Sequence, residues 1–418
     1  MPAVPEGAPP PSRGPASRGG GTDDAALRIA FFTDTFAPTH DGVARVTDTL
    51  ARSLVRAGHH VTVFTVRTPG SRARELRPDG VEVRRHLSIA APGYAQYRVA
   101  LGPWARVVFG VRQFDVVHIH TPGFVGLAGW LAARAARLPT VGTYHTNLPD
   151  LLRGEGRSRT GRAFFRSWAR FSIDLCRWCD LSTAPTATAV KALGAPTPGR
   201  LEPRVIANGV DAETFRPGVA TPDWRLRLES EARPVVTFVG RWTRDKGILR
   251  FLDAIARIPV DRRFTAVIAG EGPLGAEVER RCRFDPALSA TARCVGPVAE
   301  PEKPALFAQS RVFVLPSLSD TSSVALLEAM ACGTACVVTE RGGPGEIGRR
   351  SGAVLLVDPE DPRAMAAGIE GLLCDELAAR ALGASAREWV TTHAALGRMT
   401  DEFVEAYRTV LHRSRRTT

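Results

Sequence analysis

Short apolar runs set off by polar loops recur along the chain. Leu27–Thr33, Val61–Val66, Val116–Thr121, Pro139–Thr143, Pro234–Val239, Phe264–Ala269, Val312–Pro316 and Ala335–Thr339 are the clearest. Runs this short and this uniformly apolar suit strands buried on both faces of a parallel sheet. Between them the apolar spacing changes to that of a helix. Val46, Leu50 and Leu54 mark one face before Gly58, and Val324, Leu327 and Ala331 mark another before Gly333. Glycine just past the last periodic residue is a usual helix stop. Strands alternating with helices predict an α/β fold. The Pro/Gly-rich stretch Gly194–Pro203 predicts a hinge, which places one domain at 25–198, a second at 199–385 and a last helical segment at 386–418. Residues 1–24 are rich in Pro, Gly, Ser and Ala and lack an apolar core segment, so a disordered tail is expected there.

The most informative stretch runs from Arg311 to Glu346. A strand, Val312–Pro316, feeds the polar loop Ser317–Ser323, a helix follows to Cys332, and Ala335–Thr339 returns as a strand. In open α/β sheets ligands bind where loops leave the carboxyl ends of strands. Free amides at the start of that helix, around Ser322 and Ser323, favour an anion such as a phosphate. Asp320 lies in the loop and Glu328 in the helix, with seven residues between them. The plain alternative is that Asp320 caps the helix and Glu328 is a solvated helix residue. Pro234–Gly240 leads into Arg241-Trp-Thr-Arg-Asp-Lys246-Gly247, a basic loop ahead of a helix. A forked guanidinium and a point-charge ammonium in such a loop suit a diphosphate. His120 and His145 fall at strand ends. The opening strand–helix–strand unit lacks G-x-G-x-x-G, which disfavours a dinucleotide oxidoreductase.

Composition changes this picture in three places. The net charge of +12 lies wholly in residues 1–200, with 26 Lys and Arg against 14 Asp and Glu; the remainder has 29 of each. A one-sided positive field attracts anionic lipid surfaces, acidic polymers or phosphorylated substrates. No nucleic-acid module is present, and nucleic acid is not an expected partner. Within Arg159–Cys179, Phe164, Trp168, Phe171, Leu175 and Trp178 share one helical face while Arg162, Arg166 and Arg170 step along another. Such a helix either packs on its own domain or lies on an anionic membrane. Seven scattered cysteines, Cys176 and Cys179 included, read as idle thiols of a reducing cytoplasm rather than a disulfide framework or zinc site. No run is long and apolar enough to span a bilayer. A cytoplasmic protein is expected, with peripheral attachment to the inner face of the membrane as the variant that the charge suggests.

Asp320-Thr-Ser-Ser-Val-Ala-Leu-Leu-Glu328-Ala-Met-Ala-Cys-Gly-Thr334 resembles the signature of the retaining family 4 glycosyltransferases. That family's usual first Glu is Asp320 here. Tyr144-His145-Thr146, Asn208-Gly-Val-Asp211, Arg241…Lys246-Gly247, Gly270-Glu-Gly272-Pro and Gly342-Gly343-Pro-Gly-Glu346 match further motifs in order. The resemblance covers about residues 27–410 and extends to lipid and polysaccharide hexosyltransferases of bacteria. It implies the GT-B fold: two Rossmann-like domains facing a cleft, with the C-terminal helix crossing back to the first. It implies transfer of a hexosyl group from a UDP- or GDP-sugar to an acceptor hydroxyl of a lipid, glycan or small molecule, with no cofactor besides the donor and no metal. By the same resemblance Arg241 and Lys246 hold the diphosphate, Glu328 the ribose and Asp320 the donor sugar. His145 lines the reacting face with His120 nearby. Gly270 and Gly272 border the base, Gly343 the sugar, Ser322 and Ser323 the phosphate end. Gly42 lets the backbone approach the substrates, and Asp41, in place of a second glycine, meets an acceptor hydroxyl. Competing readings are a nucleotide-sugar epimerase of the same fold, a glycosidase, and a weakly active or non-catalytic sugar-nucleotide binder.

Overall fold

A computed structural model of the chain describes residues 25–417, apart from residue 40 and residues 92–93, 102–109, 147–158, 229–232 and 260–263. The expected tail at 1–24 lies outside the described residues. Among those described, the first half forms β1 (Arg28–Phe32), β2 (His60–Val66), β3 (Arg74–Leu76), β4 (Glu82–His86), the small hairpin β5 (Ser88–Ala91) and β6 (Tyr94–Ala100), β7 (Val116–Ile119), β8 (Thr140–Thr143), β9 (Leu181–Ala184) and β10 (Arg204–Val205). Its helices are α1 (Gly42–Arg56), α2 (Phe124–Ala136), α3 (Arg159–Trp178) and α4 (Ala187–Leu193). The main sheet has the order β10-β9-β8-β7-β1-β2-β4-β3, parallel except for the edge pair β3–β4.

The second half forms β11 (Val235–Val239), β12 (Thr265–Ala269), β13 (Ala292–Gly296), β14 (Val312–Leu315), β15 (Ala335–Thr339) and β16 (Leu355–Val357). Its sheet is parallel with the order β13-β12-β11-β14-β15-β16. Counted within the domain that is 3-2-1-4-5-6, the doubly wound order whose crevice opens at the strands' carboxyl ends. The helices are α5 (Ile248–Ile255), α6 (Gly275–Phe284), α7 (Lys303–Gln309), α8 (Val324–Ala331), α9 (Gly342–Ser351), α10 (Pro362–Cys374) and α11 (Glu376–His393), and α12 (Leu396–Thr417) closes the chain. Every residue of β7, β8, β9, β11, β12, β14 and β15 is buried, which is why their sequences read as unbroken apolar or threonine-bearing runs.

The chain changes sheets twice, and both crossings meet at one place. Arg204–Val205 still pairs with β9, so the first switch follows β10 and lies a few residues beyond the Pro/Gly-rich stretch. Val210 N donates to Ala394 O at 2.9 Å and Leu396 N to Val210 O at 3.0 Å, which ties the outgoing and returning segments together. A Cβ on Gly209 would come within 2.8 Å of the Leu396 backbone, so the Asn208-Gly209 step is glycine because two main chains touch there. α11 packs on the second domain through Ala386 and Val390; the return is made by α12. α12 buries Met399, Phe403, Val404, Tyr407 and Val410 in the first domain's core. At about 2 kcal/mol per large side chain, that burial contributes on the order of 10 kcal/mol to docking the helix, an upper bound.

α3 packs part of its aromatic face on its own domain. Trp178 packs at a tilt against Trp130 of α2 and Trp168 against Phe124, Leu175 joins the core, and Phe171 packs against its edge. Trp168, Phe171 and Trp178 are half-buried against α2, while Arg166 and Arg170 are exposed. The Phe164 and Arg162 side chains lie outside the described residues. Cys176 and Cys179 are buried, and burial pushes the Cys176 thiol up to about 12. Among the described residues no helix is long and apolar enough to cross a membrane.

Candidate active site

The basic loop after β11 is gripped from both sides. Gly240 N donates to Ala269 O at 3.1 Å and Trp242 N to Glu271 O at 2.8 Å, while Leu318 N donates to Asp245 O at 2.8 Å from the loop after β14. Glycines make these approaches possible. A Cβ on Gly270, where φ is +135°, would lie 1.9 Å from Gly240 O, and one on Gly272 would lie 2.6 Å from Trp242 O. On the other side a Cβ at Gly247 would reach within 2.1 Å of Pro316 O. The neighbouring loop's backbone thus demands glycine at Gly270 and Gly272. The result is a rigid presentation of Arg241 and Lys246 at the mouth of the sheet. Lys246 Nζ is ion-paired with Asp320, and Arg241 lies 3.9 Å from Asp245. The two groups expected to hold diphosphate and sugar therefore hold each other, and Asp320 Oδ2 has no partner among the described residues.

The Asp320 loop is fixed from below by α9. Gly343 N donates to Asp320 O at 2.8 Å, and a Cβ on Gly343 would sit 2.1 Å from Thr321 O. Gly343 accordingly packs against protein backbone and seats the loop that carries Asp320. Ser323 is the N-cap of α8, accepting from Leu326 N at 3.3 Å, and Ser322 sits half-buried before it. Asp320 is not the cap, so that plain alternative fails. Neither is Glu328 solvated: it is buried, and its carboxylate takes the Arg45 guanidinium of α1 at 2.8 Å. Burial pushes the Glu328 carboxyl up, and the nearby Arg45 and Lys303 charges oppose that rise. Arg45 also meets Glu300, which in turn holds Lys303 at 2.5 Å.

In the first domain the expected residues divide. Asp41 caps α1, accepting Ala44 N at 2.8 Å on one oxygen and the Thr35 hydroxyl on the other. Asp41 is thus the N-cap of α1, half-buried, with one hydrogen bond accepted on each oxygen. Gly42 beside it is exposed, and a Cβ there would meet nothing within 4 Å, leaving the start of α1 open. His118 belongs to the core, bonded to Tyr407 at 2.8 Å and Thr143 at 2.6 Å. His120 and His145 face one another, His120 Nδ1 lying 3.1 Å from His145 Nε2. Burial lowers both; His145 falls to about 4 and is neutral near pH 7.

Three contacts close the cleft over these groups. The Thr321 hydroxyl donates to His145 O at 2.5 Å, and the Thr186 hydroxyl donates to Thr321 O at 2.7 Å. Glu346 of α9 accepts Ala187 N at 2.8 Å and Thr188 N at 2.6 Å, capping α4 from across the domain boundary. Burial alone would raise the Glu346 carboxyl, but those amide bonds hold it below the usual range. His145 is thereby brought next to the residue following Asp320. Sequence reasoning missed Arg45, Thr321 and Glu346 in these roles. Arg45 carried one signal: a cation in the first turn of a helix opposes the helix dipole and needs a carboxylate partner.

The chain matches the family description "Glycosyltransferase Family 4" over residues 40–214 and "Glycosyl transferases group 1" over residues 233–375. It is 30% identical over 339 residues to a GDP-mannose-dependent alpha-mannosyltransferase of Mycobacterium tuberculosis, covering 79% of this chain and 84% of that one. This chain belongs to glycosyltransferase family 4. The glycosyltransferase superposes on sucrose-phosphate synthase from Thermosynechococcus elongatus with a TM-score of 0.76 at 22% identity, over 92% of this chain and 99% of that one. It superposes on Anabaena HepE in complex with UDP-glucose with a TM-score of 0.73 at 17% identity, over 92% and 100%. Those likenesses establish the GT-B fold, with two Rossmann-like domains facing a cleft.

Proposed function

We propose that this glycosyltransferase moves a hexosyl group from a nucleotide-diphosphate sugar to an acceptor hydroxyl, with retention at the anomeric carbon and without a metal. The observation that carries the reading is the Lys246–Asp320 pair at the cleft mouth, with His145 latched through Thr321 beside it. An arriving diphosphate exchanges for Asp320 on Lys246, and the released carboxylate turns to the hydroxyls of the donor sugar. Arg241 adds a forked donor. As the anomeric C–O bond breaks, both electrons leave with the diphosphate, whose growing charge these cations stabilise without reorganising. The acceptor oxygen bonds to the anomeric carbon from the same face and its proton passes to the departing phosphate oxygen. Neutral His145 lines that face. Glu328 reaches ribose hydroxyls only when Arg45 yields, which couples donor binding to movement between the domains.

GDP-mannose is the first donor to test, because relatives from Mycobacterium tuberculosis, Mycolicibacterium smegmatis and Corynebacterium glutamicum are named as dependent on it. UDP-sugars come second. A thermal-shift panel of nucleotide sugars tests the reading, since a ligand of the native state at a hundred times its Kd adds about 2.7 kcal/mol of stability. One donor should raise Tm well above the others. A panel without any shift would remove the donor assignment.

A further inference from the structure

We propose that Glu346 is a positioning residue for transfer: its carboxylate clasps α4 of the first domain and so holds His145 in register with the Asp320 loop of the second. Glu346 is buried on the first turn of α9, and its two oxygens accept Ala187 N at 2.8 Å and Thr188 N at 2.6 Å. Those amides open α4, and the first amides of a helix have no acceptor within the helix. Hydrogen bonds to an ionised carboxylate are about twice as strong as those between neutral groups. The plain alternative is a pair with Arg350 one turn further on, but that guanidinium lies 3.9 Å away and is 57% exposed. Glu346 thus meets its nearest partners across the domain boundary, a contact that exists only while the domains are together.

Two short chains of contacts lead from this clasp to the reacting face. In the first domain α4 follows directly on β9, and Tyr144 N donates to Thr183 O at 2.8 Å, which ties the backbone before His145 to the end of that strand. In the second, Gly343 N holds Asp320 O from the same turn of α9 that carries Glu346. Thr186 joins the two chains. Its hydroxyl accepts Ala189 N at 3.2 Å as the cap of α4 and donates to Thr321 O at 2.7 Å. The clasp also differs from the other contact between the domains. Ribose must displace Arg45 from Glu328, whereas no group assigned to the donor competes for the Ala187 and Thr188 amides. The α4–α9 side therefore stays closed while the α1–α8 side opens to admit the nucleotide.

This inference rests on the transfer reading, and one of its two measurements needs no turnover. Hydrogen exchange at the Ala187 and Thr188 amides is followed in wild type and Glu346→Ala, with and without GDP. Both amides should be protected in the wild type in either condition and exchange about tenfold faster or more in the variant. The second measurement sets kcat for hexosyl transfer beside GDP affinity. A displacement of about 1 Å between reacting groups costs up to about a hundredfold, so kcat in Glu346→Ala should fall by about tenfold to a hundredfold. GDP affinity should stay within about twofold, because the residues assigned to the diphosphate and ribose are intact. Glu346→Asp should recover part of kcat. Thr321→Val cuts the bond to His145 O without touching Glu346 and should lower kcat in the same way, with Thr321→Ser restoring it. That pair keeps the test decisive if Glu346→Ala folds poorly. Amides that exchange as fast in the wild type as in the variant overturn the clasp. Undiminished kcat with the amides released, or GDP affinity that falls together with kcat, overturns the positioning role. A wild type that transfers from no nucleotide sugar would overturn the transfer reading, while amide exchange would still decide the clasp.

Discussion

Replacing Asp320 by Asn should tighten nucleoside diphosphate binding while slowing transfer. In the free protein Asp320 occupies Lys246, so a diphosphate must displace it. Two unit charges about 4 Å apart at an effective dielectric of 20 attract by about 4 kcal/mol. Both side chains retain solvent contact, 22% for Lys246 and 14% for Asp320, and desolvation offsets part of the attraction. A net competition of about 1–2 kcal/mol remains, or roughly five- to thirtyfold in Kd. Titration calorimetry of GDP and UDP against wild type, Asp320→Asn, Lys246→Ala and the double variant measures it. Lys246→Ala alone should weaken binding tenfold or more, from a charge-assisted contact worth about 1.5–3 kcal/mol. In that background the gain from Asp320→Asn should shrink by the competition energy, well beyond the 0.3–0.5 kcal/mol scatter of independent sites. Equal gains in both backgrounds would refute the exchange. So would an Asp320→Asn enzyme with undiminished kcat, because the carboxylate would then have no part in holding the donor sugar.

Arg45→Met should cost about 3 kcal/mol by leaving Glu328 buried without its guanidinium, and Glu328→Gln added to it should recover most of the loss in thermal unfolding. Asp41→Ala should cost about 1 kcal/mol in denaturant unfolding through the lost cap and leave acceptor KM unchanged. Gly270→Ala should destabilise the second domain by about 2–3 kcal/mol and weaken GDP binding with it, because the new methyl meets Gly240 O. His145 is held near 4 against 6.5 when unfolded, so the unfolded chain binds more protons between those values. Stability should therefore decline as pH falls from 6.5 towards 4, with a smaller slope in His145→Gln, as read from urea midpoints across that range.

How much of this was legible in the sequence depended on distance along the chain. The strands were, because burial on both faces of a parallel sheet demands unbroken apolar runs such as Val312–Leu315 and Val235–Val239. The loops that carry Lys246 and Asp320 were placed correctly at strand ends, since that follows from local strand–loop–helix order. Their pairing was not, for the two residues are 74 positions apart and a sequence shows each only as a charge. Glu328 and Arg45 are 283 apart, which hid the partner that makes burial of the acid tolerable. The cap made by Asp41 was not read, because a helix cap and an acceptor contact ask for the same side chain. Gly270, Gly272 and Gly343 were recognised as required, but a glycine does not show whether a ligand or another backbone presses against it.

The most direct test of the account is the anomeric configuration of the product. GDP-mannose, then UDP-glucose, is incubated with the enzyme and an alkyl glycoside acceptor in the presence of EDTA, and the new linkage is assigned by its one-bond carbon–hydrogen coupling in NMR. The product should be α-linked, with stoichiometric release of nucleoside diphosphate, and should be lost in Lys246→Ala. A β-linked product, or transfer abolished by EDTA and restored by a divalent cation, would contradict it.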